Sequence, residues 1–257
     1  VTGSVGKTGT KDMIKLALEG VGKSYANESS YNNYIGVPLS LSRIPNNTKF
    51  CTLELGMNKK GEIKKLAKLV EPQVAVLTSV ELSHLQGLKS LKNIADAKSE
   101  VLEILPVDGC LIINNETNYS EYIKNKASKL GIKNIITYGK RDQNDISLIS
   151  YHTRGKYYHI KALCFGNKVS WKMPIIDEHW IYNSLSILAI ASYFKIDIEK
   201  ILKRISSFKI PQGRGNKSFL SYKKNRFTLI DDSYNSNPAS LKASLNNFSS
   251  LEPKGRK

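Results

Sequence analysis

The chain has 257 residues, 39 of them Lys or Arg against 22 Asp or Glu, for a formal charge of +17. That length buries a sizeable core in one large domain or two small ones, and 40% apolar with 24% charged residues is the composition of a globular protein. No apolar run approaches membrane-spanning length and no charged-then-apolar leader is seen, so a cytoplasmic protein with no membrane partner is expected.

The basic balance favours anionic partners: nucleotides, nucleic acid or acidic metabolites. The lysines are spread along predicted helix faces and are not gathered with aromatics, which favours a solvated basic surface over a nucleic-acid groove, so no nucleic-acid partner is expected. Cys51, Cys110 and Cys164 have no metal-ligand spacing, and each lies in an apolar run that reads as a strand. They are expected to be buried, reduced thiols.

In chain order, the first stretch is VTGSVGKTGTKDM. Gly3, Gly6, Lys7 and Thr8 give G-x-x-G-K-T running into a helical pattern, which aims backbone N–H groups and a helix N-terminus at one point where a polyphosphate could sit. Lys7 would neutralise β/γ oxygens and the Thr8 hydroxyl would reach a Mg²⁺ between them. Val1 stands where the general pattern has a glycine, so the loop is a variant. The chain opens on this loop without the hydrophobic strand that must feed it, and that strand is expected to precede Val1, centrally in the sheet beside the strands carrying Glu54 and Asp232.

The helix continues through Met13, Ile14, Leu16, Ala17 and Leu18 and ends at Gly20 and Gly22. SYANESSYNNYIGVP has too few apolar residues for a core element and reads as a loop over the site. Lys49 to Leu55 is a strand with Glu54 near its C-terminal end, GEIKKLAKLV an amphipathic helix, and QVAVLTSV a buried strand. Right-handed β-α-β crossovers put Glu54 and the segment after Val80 on the edge that holds the phosphate loop. A helix over Ile94 to Leu105, the strand CLIINN, a helix over Tyr119 to Leu130 and the strand NIITYG continue the alternation.

From Ile146 to Met173 period-two stretches such as YYHIKALCF indicate an antiparallel addition. HWIYNSLSILAIASYF and Ile198 to Ile205 are helices, RFTLIDDSYNSNP is a strand leading to a turn, and Pro238 suits the first turn of a last helix. The fold class is α/β: one doubly wound, mostly parallel sheet with a phosphate loop and a small antiparallel addition, covering residues 1–257. At its edge Glu54 and His84 could hold a second divalent ion. Taken singly, His84 reads as a surface or capping histidine and Glu54 as a solvated charge.

The set TGSVGKT, NNYIGVPL, ELGMNKKGEI, SHLQG, ADAKSE, EHWIYNSL, GRG and DDSYNSNP, in this order and spacing, resembles the central ATPase domain of the Mur ligases. The ELGMN and DDSYNSNP blocks are most similar to the branch that adds D-alanyl-D-alanine to UDP-N-acetylmuramoyl-tripeptide. The resemblance implies an ADP-forming ligase with ATP and two Mg²⁺ ions, working through an acyl phosphate. It places Gly3, Ser4, Gly6 and Lys7 on the ATP phosphates, Thr8 and Glu54 on the first Mg²⁺, and His84 on the second. Lys98 matches a lysine often carbamylated in the family, a carboxylate-like ligand of that second metal. Asn183 would bond adenine, Arg214 phosphate and Asp232 the ribose, and Asn33 resembles a polar residue near the γ-phosphate.

Trp180 follows His179 where the family has Asn, which removes one adenine contact and opens stacking by Trp180. The family's preceding UDP-sugar domain and following dipeptide domain are not recognisable here, and SLEPKGRK resembles the handover to the latter. A monomer is expected. The alternatives are a folylpolyglutamate synthase-like ligase, which DDSYNSNP argues against, and a nucleotide- or nucleic-acid-binding remnant without ligase activity.

Overall fold

A computed structural model describes residues 1–82, 88–174, 179–223, 225–234 and 238–250. It falls into two compact units, Val1–Phe208 and Lys209–Lys257, where the sequence shows no linker. In the first unit helix α1 (Lys7–Leu18) follows Gly6, whose φ of 85° is left-handed. Met13, Ile14, Ala17 and Leu18 form its buried face, the i, i+4 spacing of an amphipathic helix. Then come β1 (Ser24–Ala26), α2 (Gly36–Ser42), β2 (Phe50–Thr52), α3 (Glu62–Val70), β3 (Val74–Leu77) and α4 (Leu91–Lys98), which runs into a 3₁₀ turn at Ser99–Glu103. The unit continues through β4 (Cys110–Asn114), α5 (Ser120–Lys129), β5 (Asn134–Gly139), β6 (Ile146–Arg154), β7 (Tyr157–Cys164), β8 (Asn167–Pro174), α6 (His179–Tyr193) and α7 (Ile198–Ile205).

Strands β3 to β8 form one sheet in sequence order, parallel from β3 to β6 and antiparallel from β6 to β8. The expected antiparallel addition therefore sits at one end of the parallel sheet. Val1 and Thr2 enter the loop held by backbone bonds on both sides. The Val1 amine donates to the Leu53 carbonyl at 2.8 Å and Leu55 N–H donates to the Val1 carbonyl at 2.8 Å. On the other side Thr2 N–H donates to the Val76 carbonyl at 2.9 Å and Thr78 N–H to the Thr2 carbonyl at 3.0 Å. These two residues stitch the parallel β1–β2 pair to β3, so the C-terminal ends of β2 and β3 flank the phosphate loop, as the β-α-β reading requires.

Four readings change. The polar stretch read wholly as a loop contains β1 and the start of α2; three residues at the end of a sheet need no long apolar run. Cys51 is exposed, whereas Cys110 and Cys164 are buried, because Cys51 lines an open groove beneath Val1. The single helix expected to reach Leu105 tightens after Lys98, where buried Glu100 turns to accept the N–H groups of Gly61 (2.6 Å) and Lys64 (3.1 Å) and caps α3. Finally, the strand leading to Asp232, expected in the parallel sheet next to the strand that feeds the loop, is β10 (Asn225–Asp231) and pairs antiparallel with β9 (Asn216–Tyr222) in the second unit. Its largely exposed residues fit a hairpin better than a strand buried on both faces. Helix α8 (Pro238–Ser250) starts on Pro238 as expected.

Candidate active site

The phosphate loop is pinned from outside by the segment after β3. Ser4 N–H donates to the Ser79 carbonyl and Val5 N–H to the Ser79 hydroxyl, both at 2.9 Å. The Thr78 hydroxyl donates to the Val5 carbonyl at 2.6 Å. The Ser4 hydroxyl donates to the Glu81 carbonyl and accepts Glu81 N–H, both at 2.9 Å, so its side chain helps to hold the loop. Gly3 has no alternative: a Cβ there would stand 2.0 Å from Thr78 Oγ1. Lys7 folds back over the loop and its Nζ donates to the carbonyls of Gly3 (2.9 Å) and Ser4 (3.4 Å). No acidic residue occupies the first turn of α1, so its N-terminal field adds to the Lys7 charge.

Thr8 and Glu54 meet here as expected. The buried Thr8 hydroxyl donates to Glu54 Oε2 at 2.7 Å, and Asn32 Nδ2 donates to Oε1 at 2.6 Å. Asn33 is placed differently from its neighbour: its Oδ1 accepts the N–H groups of Ile35 (3.1 Å) and Gly36 (2.9 Å), capping α2. Asn32, which sequence reasoning did not single out, is the amide that reaches Glu54, and Gly56 makes room for it, since a Cβ there would stand 2.6 Å from Asn32 Oδ1. Asn27 and Lys11 were missed altogether. Both are buried, Asn27 bonding the Glu54 backbone and Lys11 the carbonyls of Asn27 and Ser29.

Lys98 ends α4 with 2% exposure. Burial first, and the Lys7 charge second, hold its amine well below the usual lysine range, with Glu54 pulling the other way. Lys7, Glu54 and Lys98 thus form one electrostatic cluster. Among the described residues no three His, Cys, Asp or Glu side chains come together as a metal site, and His84 lies outside the described residues. A hydroxyl and a carboxylate oxygen beside a phosphate loop fit Mg²⁺, a hard cation that takes its remaining ligands from phosphate and water.

Asn183, on the first turns of α6, lies against Gly6: a Cβ there would stand 3.2 Å from its amide. Its Nδ2 is buried and has no partner among the described residues, as a group reserved for a ligand would be. Trp180 does not present a stacking surface. It is 2% exposed, fills the space a Cβ on Gly9 would take, 1.9 Å from its ring, and packs on Phe208 with ring centroids 5.3 Å apart. It therefore locks α6 to α1. In the second unit the Arg214 guanidinium lies 4.5 Å over the Tyr234 ring, and Asp232 is exposed.

A strand-loop-helix with Lys and Thr at the helix start, backed by a buried carboxylate from the adjacent parallel strand, defines a phosphate-loop α/β domain. Residues 1–191 match the Mur ligase middle domain. The chain is 36% identical over 259 residues to the UDP-N-acetylmuramoyl-tripeptide–D-alanyl-D-alanine ligase of Bacillus subtilis, covering 100% of this chain and 54% of that one. A crystal structure of MurF from Acinetobacter baumannii superposes with a TM-score of 0.87 at 26% identity, covering 98% of this chain and 53% of that one. MurF from Thermotoga maritima, solved with ADP, shares the fold at 22% identity, with a TM-score of 0.82 over 96% of this chain and 55% of that one. The chain belongs to the Mur ligase family, and it spans about half the length of the curated relatives it matches. No helix among the described residues is long and apolar enough to cross a membrane.

Proposed function

We propose that residues 1–257 form the ATP-binding middle part of an ADP-forming ligase that joins D-alanyl-D-alanine to UDP-N-acetylmuramoyl-tripeptide, acting as a cytoplasmic monomer. The observation that carries this reading is the Thr8–Glu54–Asn32 triad, with Lys7 and buried Lys98 beside it, in a chain 36% identical to such a ligase. The substrate carboxylate attacks the γ-phosphorus and the bond to the β-γ bridging oxygen breaks, giving an acyl phosphate and ADP. The dipeptide amine then adds to the acyl carbon, and phosphate leaves as the amide forms.

An anion attacking a polyphosphate needs charge neutralised in place more than it needs a covalent nucleophile. Lys7 and the loop N–H groups cradle the phosphates. Thr8 and Glu54 would hold the first Mg²⁺, with His84 and a carbamate on Lys98 holding the second. Bound there, the two ions supply Lewis-acid charge neutralisation. Asn183 reads the adenine edge. The UDP-sugar and dipeptide sites belong to parts of the whole protein outside residues 1–257.

The test compares this chain with the whole protein, each given ATP, Mg²⁺, UDP-N-acetylmuramoyl-tripeptide and D-alanyl-D-alanine. The whole protein should release ADP, phosphate and the amide product, and the chain alone should bind ADP yet form no amide. Holding acid and amine together contributes roughly 7–11 kcal/mol, and on this reading both pockets lie outside residues 1–257. Ligation by the chain at the rate of the whole protein would overturn the division of labour, and no ligation by either would overturn the reaction.

A further inference from the structure

We propose that Asn27 is the positioning residue that sets Glu54 for metal-nucleotide binding, an inference that rests on the nucleotide-site reading above. The β1–β2 ladder ends at the pair Ala26 and Thr52. Two residues past that end of β2, the Asn27 side chain replaces the backbone partner: Oδ1 accepts Glu54 N–H at 2.9 Å, and Nδ2 donates to the Glu54 carbonyl at 3.1 Å. On the opposite edge, the Leu53 carbonyl and Leu55 N–H are held by Val1. The extension of β2 that carries the carboxylate is therefore clamped from both sides, and Asn27 is one jaw.

The same amide fixes what touches the carboxylate. Its second N–H donates to the Tyr31 carbonyl at 2.8 Å, one residue before Asn32, whose own amide holds Glu54 Oε1. The Asn27 carbonyl accepts Lys11 Nζ at 2.5 Å. Lys11 lies three residues after Thr8 on α1, so it shares a face with the hydroxyl that holds Glu54 Oε2. Asn27 thus joins three segments at one point, with its one amide oxygen and both amide hydrogens engaged and 1% of its surface exposed. Neither a shorter side chain nor a hydroxyl can make all three bonds. Asn27 touches neither nucleotide nor metal; it acts through Glu54 and Asn32.

The test measures ADP affinity of this chain in EDTA and with Mn²⁺, by calorimetry and by electron paramagnetic resonance of the bound ion, for the wild type, Asn27→Ala and Asn27→Ser. The wild type should bind ADP more tightly with Mn²⁺. In Asn27→Ala that enhancement should fall about tenfold or more, the usual cost of losing a group that orients a metal ligand, while metal-free ADP affinity, set by the loop amides and Lys7, should stay within about twofold. Asn27→Ser keeps an acceptor for Glu54 N–H and should lose less, about threefold; it carries the comparison if the alanine variant melts below the assay temperature. Equal enhancement in wild type and variants, or parallel loss with and without Mn²⁺, overturns the positioning role. A wild type whose ADP binding ignores Mn²⁺ overturns the nucleotide-site reading, and this inference with it.

Discussion

Lys7→Ala should weaken ADP and ATP binding by about a hundredfold or more and stop turnover of the whole protein. Its ammonium is the cation laid over the phosphate loop, tethered to the Gly3 and Ser4 carbonyls, and those carbonyls cannot bind an anion in its place. Two charge-assisted hydrogen bonds to phosphate are lost, each worth roughly 1.5–3 kcal/mol. The fold should tolerate the change, because the loop is held by Thr78, Ser79 and Glu81 independently of Lys7. Lys7→Arg should not restore binding, since a planar fork does not fit where a compact ammonium is enclosed by two carbonyls. Calorimetric titration with ADP alongside a thermal melt decides it. Unchanged affinity would remove Lys7 from the phosphate site, and a collapsed melt would make it structural.

The alternation of strands and helices was legible because a parallel sheet buries both faces of its strands. QVAVLTSV, CLIINN and NIITYG are apolar runs between helices; the last two became strands within a residue of their expected ends, while the first stops at Leu77, three residues short, because Thr78 and Ser79 turn to hold the phosphate loop. Glu54 was legible as a carboxylate at the end of such a strand, and Gly6 and Lys7 as a loop turning into a helix. Lys98 could not be read from hydropathy, which places a lysine on a solvated face; only the family resemblance singled it out, and the structure buries it. The Asn residues around Glu54 depended on tertiary neighbours. Asn32 and Asn33 are adjacent and chemically identical, and which one reaches Glu54 is decided by the cap that Asn33 forms on α2. Trp180 shows the same limit, because its socket is a glycine on another helix.

Lys98→Met should cripple ligation by the whole protein while leaving this chain at least as stable as the wild type. A buried ammonium without a paired carboxylate is costly, by several kcal/mol, unless it loses its proton. Desolvation and the Lys7 charge favour that loss, and among the described residues no acceptor is hydrogen-bonded to its Nζ. The neutral amine that remains is the form that adds to CO₂, making an N–C bond and releasing one proton as the carbamate forms. The product is an anion beside Lys7, so the same neighbour that destabilises an ammonium stabilises a carbamate. Methionine matches the buried stem, removes the ionisable end and should cost less than about 1.5 kcal/mol in packing, offset by the lost desolvation. Lys98→Ala should be equally inactive, and a short carboxylic acid that restores an oxygen anion in the space left should return part of its activity. Labelled CO₂ should give a carbamate carbon signal in the wild type that both variants lack. Full ligation by either variant would show that this buried lysine is structural alone, and a wild type without the signal but with normal turnover would show that the free amine suffices.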